Sequence, residues 1–187
     1  SAKSTAILET KATQPNTAPI EEAATSTEQL PFFEEATQKE AQKALVLEMV
    51  QSIDAMVKYA IRFAEPCETD QTIEISLTKD AEGRVRMYQS TQGAGVWRTD
   101  TGYYDEAGTL RFNRSTMVNS TTEGKRTVEQ IWDKDSKMLN SKRSDHKIIS
   151  NGLGLGLPPA SEWVNVHHLK ATEAQADHDR LKEACSP

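Results

Sequence analysis

Between Phe33 and Ala64, apolar residues recur at Leu45, Val46, Met49, Val50, Ile53, Met56, Val57, Ala60, Ile61 and Ala64, the i, i+3, i+4 repeat of one helical face. Glu48, Gln51, Asp54, Lys58 and Arg62 fall on the other side. The spacing predicts one long helix over this span, favoured at its start by Glu34 and Glu35 against the helix dipole and stopped by Pro66. Past Pro66 the apolar period becomes two. TIEISLT places Ile73, Ile75 and Leu77 on one face and Thr72, Glu74 and Ser76 on the other, as in a half-buried antiparallel strand. RVRMYQ, GVWRTDTGYY, TLRFNRSTMV, TVEQIW and KMLNSK continue in the same style between short polar turns. Such a succession predicts a meander, and EWVNVHHL near the C-terminus supplies a further strand. The tail TEAQADHDRLKEACSP is helical again, with Thr172 and Gln175 at capping-box spacing and Ala174, His178, Leu181 and Cys185 on one stripe.

The links between strands carry their own signal. Aligning TKDAEGRVRM, YYDEAGTLRF and IWDKDSKMLN puts Asp80, Asp105 and Asp133 in one column and Gly83, Gly108 and Ser136 three positions later. Val85, Leu110 and Met138 follow two positions after that. Asp accepts hydrogen bonds from the backbone two residues on, and Gly takes the positive φ of a tight turn, so the column predicts a recurring hairpin loop. The YYDEAGTLRF version resembles the Tyr-Asp repeats of bacterial shell proteins, a likeness of turn chemistry that implies hairpins and no family assignment. Asp133 and Asp135 do not make a calcium loop, because the remaining oxygen ligands and the closing Glu are missing.

Residues 1–31, rich in Ala, Thr, Ser, Pro and Glu, read as a flexible linker or tether that could hold a domain near a membrane. Residues 32–187 read as a single α+β domain. One long N-terminal helix packs on a six- to seven-stranded antiparallel meander, and a short C-terminal helix follows. In outline this resembles helix-grip and cystatin-like architectures, an analogy of fold that implies no function. NGLGLGLPPASEW reads as a loop over one end of the sheet rather than a phosphate cradle, since Pro158 and Pro159 follow and no Walker-type Lys is present.

Composition narrows the class. The 187 residues are 36% hydrophobic and 27% charged, and no apolar run approaches the roughly 20 residues of a membrane span. Net charge is -6. Residues 71–150 are mildly basic, 13 Lys and Arg against 11 Asp and Glu, which is far from the basic stripe that nucleic acid demands. The two cysteines, Cys67 and Cys185, bracket most of the domain. The expectation is a disulfide between them, in a protein exported to periplasm, envelope or medium.

Candidates for chemistry are few. His167 and His168 point to opposite sides of a strand, and no HxH, HxxxH or CxxC spacing occurs, so no metal and no cofactor is expected. No Gly-x-Ser-x-Gly elbow accompanies any serine. With Ile73, Ile75, Val85, Met87, Leu110 and Phe112 facing the helix, the opposite face would display Glu74, Arg84, Arg86, Tyr88, Arg111 and Asn113. Arg and Tyr are favoured at interfaces, so these six are the predicted binding residues of a non-enzymatic binding protein, an inhibitor or immunity-type factor gripping a protein partner. Two other functions are open. A carrier would hold an apolar ligand among Met49, Met56, Met87, Trp97 and Phe112. A hydrolase would draw on Asp145, His146 and His167.

Overall fold

The computed structural model describes residues 30–63, 72–147, 157 and 168–184. Helix α1 spans Leu30–Asp54, with Pro31 in its first turn, where a missing N–H costs nothing. Seven antiparallel strands follow: β1 Tyr59–Phe63, β2 Thr72–Lys79, β3 Val85–Ala94, β4 Val96–Tyr104, β5 Leu110–Asn119, β6 Gly124–Trp132 and β7 Met138–Lys147. They form one sheet in strict sequence order, so the α+β meander stands as expected. Helix α2 spans Ala171–Ala184.

The first helix is shorter than its periodicity predicts. It closes in a tight last turn, in which the Met56 N–H donates to the Ile53 carbonyl at 3.0 Å. Tyr59, Ile61 and Phe63 then pair with Leu77, Ile75 and Ile73 as β1. Ala60, Ile61 and Ala64 continue the helical period by coincidence. Tyr, Ile and Phe alternating with Ala and Arg also fit a strand, and the edge of β2 offers hydrogen bonds that a lone helical extension cannot match.

The three aligned loops are one turn made three times. In each, the Asp side chain accepts the N–H four residues on: Arg84 at 2.9 Å, Thr109 at 2.9 Å and Lys137 at 2.8 Å. The third position has positive φ at Gly83, Gly108 and Ser136. Each turn is followed by a bulge. Thr78 pairs with Met87 and Lys79 with Val85, so Arg86 is an extra residue; Arg111 and Leu139 hold the same position in the other two hairpins.

These bulges correct the facial assignment of the side chains. Val85 and Met87, two apart, were expected on one face, as were Leu110 and Phe112. Instead Met87, Tyr103, Phe112 and Ile131 pack with Val46, Val50 and Ile53 of α1, while Ile75, Leu77, Val85, Tyr88, Tyr104 and Leu110 pack with Ala171 and Ala174 of α2. The extra residue breaks strict alternation, so one apolar pair serves both faces. Since neighbours on a strand point opposite ways, the two helices cover opposite sides of the sheet. Burial of a side chain such as Ile53, fully enclosed, contributes about 1.5–3 kcal/mol. Glu34 to Gln42 of α1 are exposed, and its described packing residues lie in the C-terminal half.

At α2 the cap differs from expectation. The Lys170 N–H donates to Glu173 Oε2 at 3.2 Å, which makes Lys170 the capping position and puts Thr172 inside the first turn. Ala174 is fully buried and His178 and Leu181 are partly so, as the stripe predicts. Cys67, Cys185, the side chain of Ile73, the Gly-Leu run apart from Leu157, and EWVNVH lie outside the described residues.

Candidate functional site

The point where α2 lands is fixed by backbone. The Leu110 N–H donates to the Leu169 carbonyl at 3.0 Å, and the Ala171 N–H donates to the Gly108 carbonyl at 2.8 Å, tying the start of α2 to the second hairpin. Gly108 permits this approach twice over: its φ is +75°, and a Cβ there would sit 3.3 Å from that of Ala171. From this anchor α2 runs along β3 and leaves a cavity of about 210 Å³ between itself and the sheet. Tyr88, Ser90, Gln92, Asp100, Gly102 and Tyr104 line it from the sheet, and His168, Asp177, Arg180 and Leu181 close it. Gly102 lies in the floor, where a Cβ would come within 3.1 Å of the Tyr104 hydroxyl and 3.2 Å of Leu110, so a larger residue would displace both.

Asp177 is the hub of the α2 wall. The Tyr88 hydroxyl donates to its Oδ2 at 2.6 Å, His168 Nε2 lies 3.4 Å from the same oxygen, and Arg180 donates to Oδ1 at 3.1 Å. The His168 hydrogen bond, opposed by burial and aided by Tyr88 and Arg180, holds the carboxyl well below the usual carboxylate range. Burial, then the bond to Asp177, pushes the Tyr88 phenol far above its ordinary value. Tyr104 is raised by burial and by the Glu173 carboxylate, and its hydroxyl donates to the His168 carbonyl at 3.0 Å. On the sheet wall Asp100, 6% exposed, accepts from the Ser115 hydroxyl at 2.6 Å and pairs with Arg98 at 2.6 Å. Both carboxylates of the pocket are therefore matched by guanidinium groups. Among the described residues no hydrogen bond engages the side chains of Ser90 or Gln92, and no cluster of three or more His, Cys, Asp or Glu could hold a metal ion.

The six predicted binding residues do not share an open face. Glu74 is half-buried on the α1 side, in register with Thr91. Arg84 is exposed in the first turn and bridges Asp80, Glu82 and Glu106. Arg86 and Arg111, at the bulges, each cross to the next hairpin: Arg86 Nε donates to the Tyr104 carbonyl at 3.1 Å and Arg111 Nε to the Trp132 carbonyl at 3.1 Å. Their second contacts are to the turn carboxylates Asp80 and Asp105. Asn113 is fully buried and accepts from Trp132 Nε1 at 2.8 Å. Only Tyr88 lines the pocket. The bulges and the unforeseen second helix layer explain the dispersal.

Of the carrier set, four residues meet in one packed cluster and Trp97 stands apart. Met87 and Phe112 are buried in the α1-side core and Met49 and Met56 pack against it, while Trp97 stands near the far end of β4, 36% exposed. Asp145 is held by Arg126 and Arg143, and His146, its strand neighbour, points to the other face. His167 lies outside the described residues.

Sequence reasoning missed Ser90, Gln92, Asp100, Gly102, Tyr104, His168, Asp177, Arg180 and Leu181. One signal was available: Ser90, Asp100 and Gly102 are small or polar at strand positions where an inward face would otherwise carry large apolar side chains. Comparison with protein families, with characterised proteins and with solved structures finds no match to this chain.

Proposed function

We propose that the chain is a non-enzymatic binding protein of an oxidising, exported setting, which grips a partner by taking one of its small polar groups into the pocket under α2. The observation that carries this reading is the state of the pocket's polar groups. Asp177 is locked ionised by three donors, both tyrosines are kept protonated, and Asp100 is already paired, so these four groups are fixed in one state and one place. Such a site is preorganised to hold rather than to react.

The export half of the reading draws support from the direction of α2. It starts beside Gly108 at the turn end of the sheet and reaches Ser90 and Gln92 with Leu181. Gln92 pairs with Ile73, and Ile73 with Phe63, so α2 heads for the end where β1 stops and β2 starts. Cys67 lies in the link between those two strands and Cys185 directly follows Ala184. The described elements that precede the two cysteines, β1 and α2, run toward the same end of the sheet, and we propose that the two thiols are bridged.

A second reading rests on Ser90, His168 and Asp177 lining one pocket, the residue types of a nucleophile, its base and a supporting carboxylate. It ranks below the first because no hydrogen bond joins Ser90 to His168 among the described residues and Tyr88 already claims the same Asp177 oxygen.

The test is retention of a stoichiometric partner from secreted and envelope fractions by the intact tagged chain, read by native mass spectrometry, with Ser90→Leu as the blocked pocket. A partner held by the parent chain and lost by a variant of unchanged melting temperature supports binding through the pocket. A partner held equally by both removes it, and turnover of aryl esters that Ser90→Ala abolishes gives precedence to the hydrolase.

A further inference from the structure

We infer that the group the pocket accepts is a neutral sugar ring, a terminal pyranose of a glycan; this rests on the reading of the pocket as a binding site. Size is the first constraint. A cavity of about 210 Å³ is below the usual range of about 300–1,000 Å³ for drug-sized ligands and suits a single ring or side chain.

Charge is the second. Asp100 is matched by Arg98 and Asp177 by Arg180, so neither a cation nor an anion finds an uncompensated counter-charge and each would lose hydration on entry. Hydrogen-bonding capacity is the third. Ser90 and Gln92 stand two residues apart on one face of β3, roughly 7 Å along the strand, with side chains that offer both donors and acceptors and have no described partner. A carboxylate carries about four acceptor sites, so Asp100 retains capacity after Ser115 and Arg98 are served. The wall demands a ligand that donates and accepts at neighbouring atoms, as vicinal hydroxyl groups do.

Apolar contact comes from Leu181 on the α2 wall and from the two tyrosines on the sheet wall. Tyr104 is only 1% exposed and Tyr88 only 6%, which leaves no open ring face on which a planar base could stack. A puckered ring with a C–H side needs none. Gly102 lines the floor beneath it, and a Cβ there would press on Tyr104 and Leu110.

The experiment is a titration of the isotope-labelled intact chain with the methyl glycosides of glucose, galactose, mannose and N-acetylglucosamine, followed through the backbone amides of Ser90, Gln92 and Gly102. Sodium acetate and n-butylammonium chloride serve as charged controls. The expected result is a saturable shift with at least one glycoside, none with either ion, and affinity lowered about tenfold in Gln92→Ala, the loss of one hydrogen bond. Shifts from an ion alone, from no probe at all, or from a glycoside with the same affinity in Gln92→Ala and Ser90→Ala each overturn the sugar assignment. If a partner is lost by Ser90→Leu while every glycoside is silent, the sugar class falls and the pocket reading survives. If glycosides bind while no partner depends on Ser90, the sugar site stands and the macromolecular grip falls.

Discussion

At the scale of single residues, the turns carry the clearest causal chain. Asp105 accepts two backbone N–H groups through Oδ1, from Ala107 and Thr109, while Oδ2 takes Arg111. The third copy of the turn departs at two positions, with Ser136 in place of Gly and Leu139 in place of Arg. Ser136 adopts a φ of 62°, a left-handed conformation that costs a side-chain-bearing residue about 1–2 kcal/mol, partly offset by the smaller entropy it loses on folding compared with glycine. Ser136→Gly is therefore expected to stabilise the fold by up to about 1 kcal/mol, seen as a higher urea midpoint at unchanged slope. The Asp and Gly columns were legible in the sequence because turn chemistry is local. The roles of Arg86 and Arg111 were not, because a cation on a strand reads as a solvent-facing residue unless the bulge that redirects it is known.

At the scale of elements, the docking of α2 links stability to pH through two kinds of group. The native Asp177 carboxyl lies below the unfolded aspartate value of about 3.9, so its contribution is full above about pH 4 and is lost as pH falls toward the native value. Tyr88 and Tyr104 are shifted the other way, so their contributions are full below about pH 10 and are lost as pH rises past the unfolded tyrosine value. A urea midpoint measured against pH is expected to form a plateau that falls on both sides, with Asp177→Asn reducing the acid fall and Tyr88→Phe the alkaline one. Equal steepness in parent and variants would separate the cluster from α2 docking. At this scale the sequence named nearly every element. It missed the end of α1, where Ala60, Ile61 and Ala64 fit two periods at once, and it missed the face to which α2 returns, which depends on contacts some 90 residues apart, such as Tyr88 with Asp177.

At the scale of the whole molecule, the meander is a single sheet between two helices, and each hairpin is fastened to the next by a bulge arginine at the first two joints. The proposed staple between Cys67 and Cys185 would close about 118 residues of this arrangement and contribute about 5 kcal/mol. Reductant is then expected to lower the melting temperature by about 10 °C. An unchanged melting temperature, with intact mass reporting free thiols, removes the staple and with it the export argument.

The sequence-ordered sheet also sets how the molecule comes into being. Every strand pairs only with the strands before and after it in the chain, so each hairpin closes a short loop and none waits for a distant segment. Folding of this kind is fast for its size, and a chain emerging from the ribosome can add strands one at a time onto an edge that is already formed. Among the described elements α2 comes last and must reach back past β5, β6 and β7 to settle on β3. The pocket is therefore completed only when α2 docks, and a truncated or stalled chain would carry the sheet without it.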